Sequence, residues 1–168
     1  VLRYDTTQEF DSVEAWSTFD PSKNGLGFTI GFQDVSFDGQ FLYFSPLNAD
    51  WGFSHEILRY DIHQEFDSVE AWSTFNPVHD APHFAVGYNS PIYEKDYVYF
   101  SPTNSYFGSH GEVLRYDTTQ EFDSVESWST FDPNNFGIGY NAVGYSGIVS
   151  DGQFLYFVPY HNGENFHG

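Results

Sequence analysis

Residues 1–21, VLRYDTTQEFDSVEAWSTFDP, return at 113–133 with one change, Ser127 in place of Ala15, and return at 57–77 with four. Near-identity at a fixed 56-residue period means that one supersecondary unit is written three times, at 1–56, 57–112 and 113–168. Such units bury their apolar surface against their neighbours, so the chain is read as a repeat architecture before any motif is considered. The second half of each unit is looser but keeps its skeleton. Ile30-Gly31-Phe32 returns as Val86-Gly87-Tyr88 and Val143-Gly144-Tyr145, and FLYFSP at 41–46 returns as YVYFSP at 97–102 and FLYFVP at 154–159.

Each unit offers four strand-like runs, which in the first full cycle are Phe28 to Phe37, Gln40 to Ser45, Ile57 to Asp61 and Ala71 to Phe75. Helical periodicity is absent apart from one turn near DSVEAW. Asp38-Gly39 and Asp151-Gly152 are placed as two-residue hairpin turns, since Gly and Asp tolerate positive φ; Glu94-Lys95 holds that place in the middle unit. Within FLYF, Phe41 and Tyr43 point to one face and Leu42 and Phe44 to the other. A strand apolar on both faces must be covered on both, as in the stacked sheets of a β-propeller.

The fold expected is therefore all-β, with three tandem four-stranded repeats forming propeller-like blades in a single repeat domain, 1–168. The blades fall at 27–77, 83–133 and 139–168 plus 1–21. In this phase the last two strands complete a blade with the first two, either in a ring shared by two chains or in a longer array. The rival is a β-trefoil, which has three repeats of similar length. With DGQFLYF, VLRYDTTQEF and SWSTFDP, the chain resembles a family of bacterial tandem-repeat sequences of propeller-like appearance without an assigned activity. That resemblance implies the fold and no chemistry.

Composition narrows the function. Twenty-four acidic residues against five basic ones give a formal charge of −19. That field repels nucleic acid and anionic membranes, and no apolar run reaches the length of a membrane helix. Without Cys there is no disulfide or thiol nucleophile. A start at Val1, inside the repeat pattern, reads as a processed or excerpted product, and an extracellular or cell-surface location is expected.

The loops that vary among copies carry Trp51, His55, His79, His83, Tyr106, His110, His161 and His167. Aromatic rings stack on sugar faces while polar side chains bond hydroxyls, so a glycan is the natural ligand for these residues. The near-identical segment repeats its carboxylates as Asp5, Glu9 and Asp11, as Asp61, Glu65 and Asp67, and as Asp117, Glu121 and Asp123. Clustered oxygens of this kind are candidate calcium ligands, although the spacing is not that of an EF-hand loop. Arg3 and Asp5 share one side of a strand, and a bidentate bond from Arg3 to a carboxylate of the next unit would pin repeat to repeat. Trp16, Trp72 and Trp128 are expected in the core. Since no catalytic motif is found and catalysis needs one asymmetric constellation, the chain reads as a non-catalytic protein with a structural, self-assembling or binding role. A lectin-like module and a glycoside-acting enzyme are the alternatives.

Overall fold

The structure, a computed structural model, describes residues 1–27, 29, 31–46, 55–77, 79–80, 87–105 and 108–166. These form β1 (Leu2–Tyr4), β2 (Trp16–Thr18), β3 (Phe32–Phe37), β4 (Phe41–Pro46), β5 (Ile57–Asp61), β6 (Trp72–Phe75), β7 (Tyr88–Glu94), β8 (Tyr97–Pro102), β9 (Asn104–Ser105), β10 (Gly108–Ser109), β11 (Val113–Asp117), β12 (Trp128–Phe131), β13 (Tyr145–Ser150) and β14 (Leu155–Pro159). Among the described residues there is no α-helix. The turn expected near DSVEAW is a single 3-10 turn, at Val13–Ala15, Val69–Ala71 and Val125–Ser127.

Among the described residues all sheets are antiparallel and none closes into a barrel. One four-stranded sheet runs β3-β4-β5-β6 and another β7-β8-β11-β12, while β1-β2, β13-β14 and β9-β10 are two-stranded. The two larger sheets share a register. Tyr43 lies opposite Arg59 and Phe44 opposite Leu58 in the first, as Tyr99 lies opposite Arg115 and Phe100 opposite Leu114 in the second. Cross-strand partners are set by side-chain packing, so near-identical segments settle on the same pairing.

β4 sits between two cores, as its two apolar faces require. Tyr43 is buried in one, with Phe41 packed against it, beside Val98, Phe100, Tyr116 and Trp128 of the β7-β8-β11-β12 sheet. Leu42 and Phe44 pack against the other, which holds Leu58, Tyr60, Phe66, Trp72 and Phe19, the residue after β2. The polar seam lies elsewhere, where β7 adjoins β3 and β13. Ser90 donates to Asp34 Oδ2 at 2.9 Å and to the Ser146 carbonyl at 3.3 Å, and the Tyr93 N–H donates to Ser36 Oγ at 2.9 Å.

Boundaries and turns depart from expectation for local reasons. The fourth run starts at Trp72 because Ala71 belongs to the 3-10 turn. The first run's described strand starts at Phe32, after Gly31 at φ 71°; Phe28 and Ile30 lie outside the described residues. The DG hairpin loops are longer than two residues, with three after β3 (38–40) and four after β13 (151–154). Asp38 Oδ1 accepts from the Gln40 and Phe41 N–H groups at 2.8 and 2.6 Å, and Asp151 Oδ1 accepts from Gln153 and Phe154 at 2.9 and 2.7 Å. The carboxylate thus satisfies two loop donors, and Gly39 at φ 108° and Gly152 at φ 90° take the positive φ. In the middle unit the two-residue turn is Lys95-Asp96, both at positive φ, not Glu94-Lys95.

Candidate functional site: the aromatic junction between units

The repeated segment builds one aromatic triad in each unit. The Trp72 indole N–H donates to the Phe66 carbonyl at 3.0 Å, which pins the ring over the loop after β5. Tyr60 stacks on Trp72 at 4.5 Å, and Phe66 meets both rings edge-on at 5.5 Å. The same set recurs in Tyr4, Phe10 and Trp16, and in Tyr116, Phe122 and Trp128, with the indole donating at 3.0 and 2.9 Å. All three tryptophans were expected in the core; Trp72 and Trp128 are buried, and Trp16 is half-buried.

Each junction adds a ring and a cation from the preceding unit. Phe19 stacks on Trp72 at 4.7 Å with the planes 6° apart, and Phe75 stacks on Trp128 at 4.2 Å and 5°. Arg3 lies 4.2 Å above the ring of Phe66, and Arg59 lies 4.4 Å above that of Phe122. Arg therefore does pin one unit to the next, but on an aromatic face instead of the carboxylate expected. Its Nε is held by the serine opposite it on the paired strand, Ser17 at 3.1 Å for Arg3 and Ser73 at 3.1 Å for Arg59. A planar, weakly hydrated guanidinium suits that face, and each such contact contributes about 0.5–2 kcal/mol.

Tyr43 completes the junction. Its ring lies 5.8 Å from Tyr116 and 6.2 Å from Phe122, and its hydroxyl donates to Asp38 Oδ2 at 2.7 Å. Burial, then the Asp38 carboxylate, pushes this phenol far above the usual tyrosine range. Burial also carries Tyr116 up to about 12, against the opposing influence of Arg59.

At the two outermost units these residues stand open. Phe66 and Phe122 are 4% and 1% exposed, whereas their counterpart Phe10 is 70% exposed; Leu58 and Leu114 are fully buried, whereas Leu2 is 63% exposed. At the other end, Phe75 is 1% exposed and its counterpart Phe131 51%, and Tyr43 is fully buried while Tyr156 is 51% exposed. Phe131 stacks on its neighbour Phe136 at 5.0 Å.

The residues singled out as ligand contacts are dispersed. His79 is exposed and pairs with Asp80 at 2.8 Å, which raises its pKa; partial desolvation lowers the pKa of His55. His110 Nε2 lies 3.0 Å from the Gly87 carbonyl and its ring meets Tyr88 edge-on. The backbones of His110 and His161 both bond Gly144, which brings these two together. Trp51, His83, Tyr106 and His167 lie outside the described residues.

The repeated carboxylates serve as local turn formers where their partners are seen. Asp5 accepts from the Thr7 N–H and hydroxyl and from Gln8, bonds that hold its pKa down at about 2. Asp61 bonds the His63 N–H and Gln64, and Asp117 the N–H and hydroxyl of Thr119. Glu9, Asp11, Glu65, Asp67, Glu121 and Asp123 are exposed, and among the described residues no three acidic or His side chains converge as a metal site would require.

The sequence reading missed Phe10, Phe66 and Phe122, and Phe19, Phe75 and Phe131, as junction residues. The signal was present in a Phe lying 53 residues before the Trp of the next unit, at 19 and 72 and at 75 and 128. No family model matches the chain, and neither a curated protein nor a solved structure matches it.

Proposed function

We propose that this chain is a non-catalytic, propeller-like repeat protein whose role is structural, exerted by self-assembly through repeat-to-repeat contacts. One observation carries the reading. Large side chains that the interior junctions bury have counterparts left open at both ends: Leu2 and Phe10 at one, Phe131 and Tyr156 at the other. Large apolar side chains left open where their counterparts are buried are the kind of surface that a partner covers. Among the described residues β1 and β14 each have one edge without a paired strand, which adds backbone donors and acceptors that another strand can satisfy.

The uniformity of the units supports the same role. A catalytic centre needs one constellation unlike its surroundings, whereas here the side chains that recur make contacts between units. The test is the mass in solution by sedimentation equilibrium over a wide concentration range. Self-assembly requires multiples of 19.3 kDa. A concentration-independent monomer overturns the proposal.

A further inference from the structure

We propose that the partner is a second copy of this chain, and that β14 of one copy pairs antiparallel with β1 of the other in a fixed register. Phe154 then lies opposite Asp5, Leu155 opposite Tyr4, Tyr156 opposite Arg3 and Phe157 opposite Leu2. This rests on the self-assembly reading and adds to it which surfaces meet and how.

The register is the one the chain already uses twice. FLYF of β4 pairs with LRYD of β5 so that Phe41 faces Asp61, Leu42 Tyr60, Tyr43 Arg59 and Phe44 Leu58. In β8 and β11, Tyr97 faces Asp117, Val98 Tyr116, Tyr99 Arg115 and Phe100 Leu114. FLYF recurs at 154–157, leading into β14, and LRYD at 2–5, running out of β1, and among the described residues each of these strands has one unpaired edge. A one-residue slip would turn every apolar side chain to the wrong face, so the same pattern selects the same pairing.

Three side-chain fits follow, each the counterpart of a contact present inside the chain. Phe131 stacks on Trp16 of the second copy, as Phe19 does on Trp72 and Phe75 on Trp128. Arg115 covers the ring of Phe10 of the second copy, as Arg3 covers Phe66 and Arg59 covers Phe122. The third fit is a cavity and its occupant. An apolar cleft of about 210 Å³ lies beside β1, lined by Val35, Leu42, Phe44, Tyr60, Phe66 and Trp72. Tyr60 and Phe66 are the counterparts of Tyr116 and Phe122, the rings against which Tyr43 is buried. Tyr156, the counterpart of Tyr43, is exposed with its hydroxyl already bonded to Asp151 Oδ2 at 2.7 Å, as Tyr43 is to Asp38. The second copy's Tyr156 therefore fills the cleft without losing its hydroxyl partner. Two copies joined at both ends form a ring of six blades, within the range of propellers.

The test uses the absence of native cysteine. The full chain carrying Asp5→Cys and Phe154→Cys is oxidised at equilibrium and compared with the chain carrying Asp5→Cys and Tyr156→Cys, two residues out of register. In parallel, Tyr156→Ser is measured for mass, with its fold checked by tryptophan fluorescence. The proposal expects a covalent dimer from the first pair, little from the second, and self-association weakened about tenfold or more by Tyr156→Ser. Dimers from the out-of-register pair alone, a disulfide within one chain, or an oligomer indifferent to Tyr156→Ser overturns the register while leaving self-assembly standing. A monomer that forms no cross-link overturns both.

Discussion

The junction around Trp72 and the half-junction around Trp16 are built from segments that differ at four of 21 positions, none of them in the Tyr-Phe-Trp triad, and the contrast between them lies in what stands alongside. Trp72 has Tyr60 at 4.5 Å, Phe66 at 5.5 Å and Phe19 of the preceding unit at 4.7 Å. Trp16 keeps the first two, as Tyr4 at 4.6 Å and Phe10 at 5.4 Å, and has no incoming Phe among the described residues. The triad is therefore a local structure that one unit makes alone. Its burial belongs to the neighbour.

The largest expected effect separates these two directly. Trp128→Ala removes a buried ring that packs with Phe75, Tyr116 and Phe122, and should cost about 3–5 kcal/mol in urea unfolding. Measured on the dissociated chain, Trp16→Ala should cost less than half as much. Equal losses would mean that the end unit is as fully packed as the interior one.

A middle-sized effect concerns the guanidinium. Arg59 lies over Phe41 and Phe122 and reaches the Tyr116 hydroxyl at 3.5 Å, whereas Arg115 has Tyr97 at 4.4 Å. Arg59→Gln should destabilise by about 1–2 kcal/mol and Arg115→Gln by about half that, by thermal or urea unfolding. If the two substitutions cost the same, the contact across the junction contributes nothing.

The smallest effect should be blind to position. The turn after β1 is held by the Asp5 carboxylate, whose pKa is lowered from the ordinary 3.8 to about 2. A lowered folded-state pKa gives stability that is present above the unfolded value and is lost as pH falls through the folded one. Asp5→Ala should therefore flatten the dependence of stability on pH between those two values and leave it unchanged near neutrality. Asp61, also lowered and in the corresponding turn after β5, should behave alike in acid titration followed by tryptophan fluorescence. A larger effect at Asp61 would show that turns, too, feel their neighbours.

Legibility followed the same division. The alternation in FLYF foretold a strand covered on both sides, and β4 has Tyr43 in one core and Leu42 and Phe44 against another. The shared register of β4-β5 and β8-β11 was not read from the repeat and was found in the structure. The Arg was assigned to pinning units together on its position in the strand, yet its partner was read as a carboxylate. Charge is visible in a sequence, whereas the ring that a neighbouring unit presents to that guanidinium is a tertiary fact. The carboxylates that read as calcium ligands include Asp5, Asp61 and Asp117, which bond donors two or three residues away, a use that competes with any distant ligand.

The sequence by itself determined the unit: its strands, its Asp-held turns and the Tyr-Phe-Trp triad, because all of these are settled by residues close along the chain or by the side-chain pattern that pairs adjacent strands. Only the tertiary structure decided that Phe19 meets Trp72 and Phe75 meets Trp128, that arginine lies on rings, and that identical residues are buried in one unit and open in another. Burial is a property of what lies alongside, and three like copies of a segment hold no information about which of them has a neighbour.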